Sequence, residues 1–324
     1  MKKHKKDISW HEAFLNSAGP KNIKEAFILA LKGLCMGTAD IIPGVSGGTV
    51  ALLTGIYQNL LDAIQSVNLE FIRQLFRLSI KQAVSTVHLR FLISLMLGIG
   101  IAILSLAHFT NYLLQVHPIP TWALFFGLIS ASIIILVKEI KNWRGSGGIA
   151  FFTGTATGYF LVGMIPVSTP ESWWFIFLSG MIAICAMILP GLSGAFLLLI
   201  MGKYEYITGA LRNPLDINNL IIILIFATGC AVGIAGFSRL LNYLLKYYYN
   251  ITIAMLTGLM LGAMRKIWPW KEVLQTQIIH EKLYILREQN ILPAKIDGMF
   301  FLACGLALAG LILVFRLEKL ACEK

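Results

Sequence analysis

Two short segments of this 324-residue chain interrupt apolar stretches with proline, glycine and serine. The first reads PGVSGG at residues 43–48, and the second reads PGLSGA at residues 190–195. Proline and glycine break helices, and a helix that restarts after the break presents free backbone N–H groups and the positive end of its dipole. Such termini bind oxygen anions, most naturally phosphate or carboxylate. Each segment is therefore a candidate anion site.

The small residues of both segments would let an anion approach the backbone, and nearby hydroxyl groups would add donors. The candidate phosphate-binding residues are Gly44, Ser46, Gly47, Gly48 and Thr49 in the first segment and Gly191, Ser193 and Gly194 in the second. The alternative is that small residues only allow tight helix packing, as they commonly do in membranes. Two matched breaks that both contain proline favour a binding site over packing alone.

Two acidic residues are candidates for coupling or gating. Asp40 directly precedes the first break, whereas the corresponding residue before the second break is Met187. A carboxylate inside a membrane is costly and is a functional candidate for that reason. Asp40 could carry a proton, or it could accept backbone N–H bonds that hold the shape of the loop. Glu205, near the end of a span, is the second candidate.

Three cations lie close to or within apolar segments and are candidate contacts for an anionic headgroup. Arg239 lies inside one span, where it could line a cavity or extend its charge toward the membrane surface. Arg265 and Lys266 precede two tryptophans, which favours anchoring at the membrane interface, with capture of a lipid phosphate as the alternative.

The amino-acid composition indicates whether these segments lie in water or in a membrane. Hydrophobic residues make up 57% of the chain, charged residues make up 13%, and the mean hydropathy is +0.75. These values predict an integral membrane protein. The net charge of +11 then favours anionic membrane lipids as partners, with no nucleic acid expected. Residues 1–22 are polar and basic, as in a cytoplasmic tail without a cleavable signal.

Other kinds of site have little support. The five cysteines show no close pairing, and the six histidines show no ligand spacing. We therefore expect no disulfide framework, no metal site, no catalytic residue and no cofactor, while proton coupling stays open. The sequence makes no prediction of the oligomeric state.

The chain repeats itself in two blocks. Shifting it by 147 positions places Pro43 on Pro190, and both copies fit the pattern PGxSGxxxxLxxGxY. Shifting it by 131 positions places the NYLL sequence at 111–114 on the NYLL sequence at 242–245. Each break has enough apolar residues on both sides for a hairpin of two half-helices that enters and leaves by one membrane face. Three spans between the hairpins would invert the second repeat.

These patterns predict an all-α, polytopic fold with inverted repeats, about six full spans and two re-entrant hairpins. The predicted organisation begins with a tail at 1–22. A first repeat at 23–140 contains a hairpin at 23–66, a surface helix at 67–90 and two spans, and a connecting span at 141–170 follows it. A second repeat at 171–270 contains a hairpin at 172–210 and two spans, followed by a polar segment with a final span at 271–324. The bias of Lys and Arg places the N-terminus in the cytoplasm.

Three stretches resemble a bacterial membrane family once known only as a domain of unknown function, whose characterised members, called PopT, are polyprenyl-phosphate transporters. They read GLCMGTADIIPGVSGGTVALLTGIY at 33–57, AMILPGLSGAFLLLIMGKYEYI at 186–207 and GLMLGAMRKIWPW at 258–270. The resemblance implies a location in the bacterial cytoplasmic membrane. It also implies transport of undecaprenyl phosphate or a similar lipid from the outer to the inner leaflet for reuse in cell-envelope synthesis, without covalent chemistry. One departure is Gln58, where the family motif usually has Glu.

Two other function classes stay open at this point. A polyprenyl-pyrophosphate phosphatase would share the lipid, but it needs a base or nucleophile and cationic clamps that the two segments lack. A small-anion transporter or channel could also use helix N-termini.

Overall fold

The computed structural model describes residues 9–41, 46–143, 145–167, 169–279 and 282–322. Within these ranges the chain forms fifteen helices and one two-stranded ribbon. The elements are α1 Trp10–Asn16, α2 Ile23–Ile41, α3 Gly47–Leu53, α4 Tyr57–Ser66, α5 Leu69–Phe76, α6 Ile80–Thr86, α7 Leu89–Val116, α8 Pro118–Glu139, α9 Ser146–Val162, α10 Trp173–Ile188, α11 Gly194–Ile200, α12 Tyr204–Arg212, α13 Ile217–Tyr247, α14 Tyr249–Ile267, β1 Lys271–Ile279, β2 Lys282–Asn290 and α15 Gly298–Cys322.

Four of the described helices are long and apolar enough to cross a membrane. The apolar stretches are Leu89–Leu106, Pro118–Glu139, Ile217–Tyr247 and Gly298–Arg316. About 20 helical residues span the hydrocarbon, so each of these stretches suffices for one crossing. The predicted all-α, polytopic class is therefore confirmed, and the total of about six spans stays a prediction.

Both PGxSG motifs separate two helices. The helix before the first motif ends at Ile41, and the next helix begins at Gly47. The helix before the second motif ends at Ile188, and the next begins at Gly194. In the second break, Pro190 lacks a backbone donor and Gly191 has φ 83°, so the chain cannot continue the helix there. Each new helix begins after a serine, the residue type that caps helix N-termini well.

The helices that precede the two motifs, α2 and α10, each pack closely against a glycine of a long helix. A methyl group on Gly98 of α7 would overlap with the carbonyl oxygen of Ala30 in α2. A methyl group on Gly229 of α13 would overlap with the carbonyl oxygen of Phe177 in α10. Residues 98 and 229 are 131 positions apart, and residues 30 and 177 are 147 apart, which are the two shifts of the sequence repeat. Close backbone contact at a small residue is typical of membrane helices.

A second set of glycine contacts involves carbonyl partners that are related by one of these shifts. Gly310 of α15 would overlap with the carbonyl oxygen of Leu124 in α8 if it carried a methyl group. Gly154 of α9 would overlap in the same way with the carbonyl oxygen of Met255 in α14. Residues 124 and 255 are again 131 apart. Thus α9 packs against α14 as α15 packs against α8. Helix α9 was predicted only as a connecting span.

The segment predicted as one surface helix at 67–90 differs from the expectation. It forms two short helices, α5 and α6, and the chain between them places Leu78 at φ 55°. A left-handed residue stops an α-helix, which explains the break. The span that follows starts at Leu89, inside the range predicted for the surface helix.

The predicted tail is partly helical. Residues 1–8 lie outside the described residues, but α1 follows with a capping box between Ser9 and Glu12. The guanidinium of Arg90 donates to the carbonyl oxygens of Ser17 and Pro20. These bonds tie the end of α1 to the start of α7.

The polar segment after α14 contains an antiparallel ribbon that the sequence analysis did not predict. Strands β1 and β2 pair from Lys271 with Asn290 to Ile279 with Lys282. The Trp268 indole N–H donates to the Ile291 carbonyl oxygen at 2.9 Å and holds the base of the ribbon against the end of α14.

Candidate anion-binding site

The two broken segments meet in the structure. The Ser46 hydroxyl lies 3.2 Å from the carbonyl oxygens of both Met187 and Leu189 and donates to them. The Gly191 N–H donates to the Thr49 hydroxyl oxygen at 3.0 Å. The two breaks, 147 positions apart in sequence, are therefore in hydrogen-bond contact.

Two further features bring the backbones of the segments close together. The buried Tyr57 hydroxyl donates to the Ile188 carbonyl oxygen at 3.0 Å. A methyl group on Gly48 would overlap with the same carbonyl. Tyr57 was part of the repeated pattern, but its contact with the other segment was not anticipated.

The first segment binds an anion of its own chain. One carboxylate oxygen of Asp40 accepts the Gly47 N–H at 2.7 Å. The Gly48 N–H donates to the Ser46 hydroxyl oxygen at 3.1 Å, and Ser46 is 1% exposed. Of the two roles considered for Asp40, the structure contains the N–H bond that holds the loop. Gly44, the remaining candidate of this segment, lies outside the described residues.

Different groups contact the backbone of the second segment. Met187 occupies the position of Asp40, and the Ser193 hydroxyl accepts the Phe196 N–H at 3.4 Å. Gly191 has φ 83°, and a methyl group there would come within 2.8 Å of the Met260 Cα atom. Gly194 packs against the Ala183 carbonyl. This segment supplies no carboxylate to its own helix terminus.

A cavity of about 150 Å³ lies beside the second segment. Its wall includes Phe196 of α11 together with Arg265 and Lys266 at the end of α14. The Arg265 guanidinium lies 4.4 Å from the centre of the Tyr159 ring, and Gly163 leaves room for it. The structure thus brings two of the predicted headgroup cations to the second broken helix.

Glu288 of the ribbon already pairs with one of these two cations, Lys266, and with Lys271. Its carboxylate lies 2.8 Å from the Lys266 ammonium and 3.1 Å from the Lys271 ammonium. Burial lowers the pKa of Lys271 to about 8, although the charge of Glu288 opposes that change. Burial alone would raise the pKa of Glu288, but Lys266 and then Lys271 bring it below its ordinary value. An anion in this cavity would compete with this carboxylate for Lys266.

The other predicted residues lie elsewhere. Arg239 of α13 lines a separate cavity with residues of α4, and Glu205 lies in the first turn of α12. Glu288 was not predicted from the sequence, because the ribbon that positions it was not predicted. In the described part of the chain, no group of three His, Cys, Asp or Glu side chains could hold a metal ion.

Comparison with known proteins decides among the transporter, phosphatase and channel classes. Residues 36–284 match the profile of the Undecaprenyl phosphate translocase-like family. The chain belongs to this family. A Polyprenyl-phosphate transporter of Vibrio cholerae is 40% identical over 299 residues, which are 90% of this chain and 96% of that protein. A Polyprenyl-phosphate transporter of Staphylococcus aureus is 32% identical over 259 residues, which are 75% of this chain and 86% of that protein.

The resemblance that the motifs predicted is therefore confirmed. As a member of the translocase family, the protein is a multi-pass membrane transporter and not an enzyme. No solved structure matches the chain.

Proposed function

We propose that the protein carries undecaprenyl phosphate, or a closely similar polyprenyl phosphate, from the outer to the inner leaflet of the cytoplasmic membrane. The lipid carrier would then be reused in cell-envelope synthesis. Family membership and the two polyprenyl-phosphate transporters support the substrate class. The contact between the two broken helices is the structural observation that carries the proposal, because a single headgroup site needs both segments at one place.

The proposed architecture is a pair of inverted repeats with a re-entrant hairpin in each. The first repeat covers 23–140 and the second 171–270, with 141–170 between them and 271–324 after them. The glycine contacts that recur at the two sequence shifts support this division, and those of α9 and α15 extend each repeat by one helix. With a cytoplasmic tail at 1–22, the first hairpin would open toward the cytoplasm and the second toward the outside.

In this proposal the phosphate binds where the two segments meet. The amide and hydroxyl groups of Gly44, Ser46, Gly47, Gly48, Thr49, Gly191, Ser193 and Gly194 would surround it. The Asp40 carboxylate supports this role, since it is an oxygen anion held by the Gly47 amide. An incoming phosphate would take the place of that carboxylate as the segments part, while the polyprenyl tail stays in the bilayer.

Charged residues would guide the headgroup. Arg265 and Lys266 lie beside the second segment and would receive the phosphate at the outer face. Lys266 would exchange Glu288 for the phosphate, because both are anions and the carboxylate belongs to a surface ribbon. Asp40 and Glu205 are the proposed coupling or gating groups.

Transport of a fluorescent polyprenyl phosphate across proteoliposomes would test this function. The lipid is placed in the outer leaflet, and its protection from an added phosphatase is followed with and without a pH gradient. We expect wild-type protein to accelerate protection. The double variant Ser46→Leu with Ser193→Leu should give only the rate of protein-free liposomes, because two bulky side chains fill the meeting point.

Ser105→Leu is the matched control, since Ser105 is an exposed serine of α7. It should transport at the wild-type rate. Wild-type activity in a correctly folded Ser46/Ser193 double variant would refute the proposed site. An inactive wild-type protein in liposomes that support transport by a relative would refute the proposed function.

A further inference from the structure

Two polar stripes face each other where α4 meets α13. Arg239, Asn242 and Lys246 lie on one face of α13, because they are three, four and seven positions apart. Asp62 and Gln65 lie on the facing side of α4. Together with Gln58 and two tyrosines they line a cavity of about 430 Å³. Polar stripes of this kind between membrane helices are costly unless they serve a site.

Hydrogen bonds fix the centre of this cavity. The Asn242 side-chain oxygen accepts from the Gln58 amide at 2.6 Å, and the Asn242 amide donates to Asp62 at 2.8 Å. The Gln65 amide donates to the Ser238 carbonyl oxygen at 3.0 Å. These bonds orient the amide groups and give the Asp62 carboxylate a neutral partner. The hydrogen bonds that hold the wall of the cavity therefore involve neither Arg239 nor Lys246.

Neither cation of the cavity forms an ion pair within the described residues. In the described part of the chain, neither Arg239 nor Lys246 lies within ion-pair distance of a carboxylate, and the Lys246 ammonium only faces the Tyr247 ring at 5.6 Å. Among the described residues that line the cavity, Asp62 is the single acid, so that this lining carries one net positive charge. A planar guanidinium and an ammonium that face one polar cavity suit a phosphate group.

The position of the cavity separates it from the cations described above. Helix α13 ends at Tyr247 beside the start of α14, whereas Arg265 and Lys266 lie at the other end of α14. The 19 residues of α14 correspond to about 28 Å, close to the hydrocarbon thickness of a membrane. The two cation pairs therefore belong to opposite membrane faces. Arg239 lies two helical turns inward from Lys246, so the cavity extends from the surface toward the bilayer.

We propose that the α4–α13 cavity is a second phosphate-binding site, where the phosphate monoester of the lipid binds at the membrane face opposite Arg265 and Lys266. This inference rests on the proposed function, since a translocase has to hand over its headgroup at both faces. Arg239 and Lys246 bind the phosphate oxygens, and the fixed Asn242 amide shapes the cavity between them. Free inorganic phosphate has the same chemistry and is the other source to be distinguished.

Protection of a cysteine in the cavity tests occupancy directly. Gln65→Cys is placed in a background in which the five native cysteines are serine, and its reaction with a charged maleimide is measured in purified full-length protein. Farnesyl phosphate should protect position 65, and farnesol should not. Protection by inorganic phosphate as well would support a site for phosphate from either source. Equal protection by farnesol, or none by farnesyl phosphate, would overturn the proposal.

Charge variants give the second measurement. Arg239→Gln with Lys246→Gln should abolish protection and raise the Kd for farnesyl phosphate about tenfold or more, because charge-assisted hydrogen bonds are lost. Arg239→Lys with Lys246→Arg keeps both charges and should retain protection. The matched control is Arg77→Gln with Lys141→Gln, which removes two exposed cations outside the cavity and should behave as wild type. Equal loss in the control pair would reduce the effect to general attraction by surface charge and overturn the site.

The two proposals fail separately. Protein that shows the cavity protection but no lipid transport would keep the phosphate site and refute the transport direction and cycle. Protein that transports lipid but leaves position 65 unprotected would keep the transporter and refute the second site.

Discussion

The two broken helices carry the same PGxSG motif but are closed by different groups. In the first, the Asp40 carboxylate accepts the Gly47 N–H from within the same segment. In the second, a methionine stands at that position, and the Gly191 N–H turns to the Thr49 hydroxyl of the other segment. The first break therefore has a carboxylate from its own segment, whereas an amide of the second break bonds to the other segment. The two motifs thus share the backbone break but differ in their polar contacts.

The largest difference is expected at the acidic position. Asp40→Ala leaves the buried Gly47 N–H without its carboxylate and should lower the free energy of unfolding by about 2–3 kcal/mol. Met187→Ala removes a side chain that is 46% exposed and should cost about 1 kcal/mol or less. Chemical denaturation of the purified proteins in one detergent compares the two. Equal losses would mean that the carboxylate does not close the first break.

Asp40→Asn separates the hydrogen bond from the charge. Its side-chain oxygen still accepts the Gly47 N–H, so most of the stability should return. If this variant also loses transport, the charge itself is needed in the cycle.

The next effect concerns the left-handed glycine of the second break. Gly191→Ala should destabilise by about 2 kcal/mol, because φ 83° is unfavourable for alanine and the methyl group meets the Met260 backbone. Gly209→Ala is the control within α12, where a methyl group meets nothing within 4 Å. That substitution should be neutral or stabilise by up to about 1 kcal/mol, since alanine favours helix. Thermal unfolding with a thiol- or tryptophan-based readout measures both, and an unchanged Gly191→Ala would contradict the conformational argument.

The two serines should differ by a smaller amount. Ser46→Ala removes a buried hydroxyl that accepts from Gly48 and contacts two carbonyls of the second segment, so about 1–2 kcal/mol should be lost. Ser193→Ala removes a single capping bond at 3.4 Å and should cost about 0.5 kcal/mol. The same denaturation measurement applies, with Ser105→Ala as the exposed reference. A reversed order would show that the second break is the more strongly held of the two.

The smallest effect depends on pH and concerns the charges beside the second segment, where the Lys266 ammonium lies 5.1 Å from the centre of the Phe196 ring. Because the pKa of Glu288 is lower in the folded protein, its contribution is complete above the ordinary carboxyl value of 4.5 and is lost as the pH falls through the folded value. Above pH 8, Lys271 becomes neutral and Glu288 keeps Lys266 alone. We expect a change below about 1 kcal/mol, because the pair is partly exposed.

Tryptophan emission against pH, compared between wild type and Glu288→Gln, measures that change. The acid transition should be present in the wild type and absent in the variant. The variant should also bind farnesyl phosphate more tightly, because Lys266 loses its competing carboxylate. An identical acid transition in both proteins would assign it to another group.

Much of this arrangement could be predicted from the sequence because it depends on local rules. Pro43 and Pro190 stop helices wherever they occur in an apolar run, and the repeat showed that the two breaks correspond. The contacts of Asp40 and Thr49 depend on how the segments approach, and no periodicity encodes that approach. Strands β1 and β2 were missed because their polar residues do not alternate strictly with apolar ones. Glu288, the partner of Lys266, was therefore missed as well. Arg239 was recognised as unusual, but its neighbours on α4 come from a distant part of the chain.

Among the described residues, the bonds that join the two breaks connect hydroxyl, amide and carbonyl groups. Parting them separates no opposite charges. A transmembrane voltage acts by about 2.3 kcal/mol per elementary charge per 100 mV, so it does no work on that separation itself. Voltage sensitivity of the cycle would then have to arise from the travelling lipid head and from whichever ions accompany it.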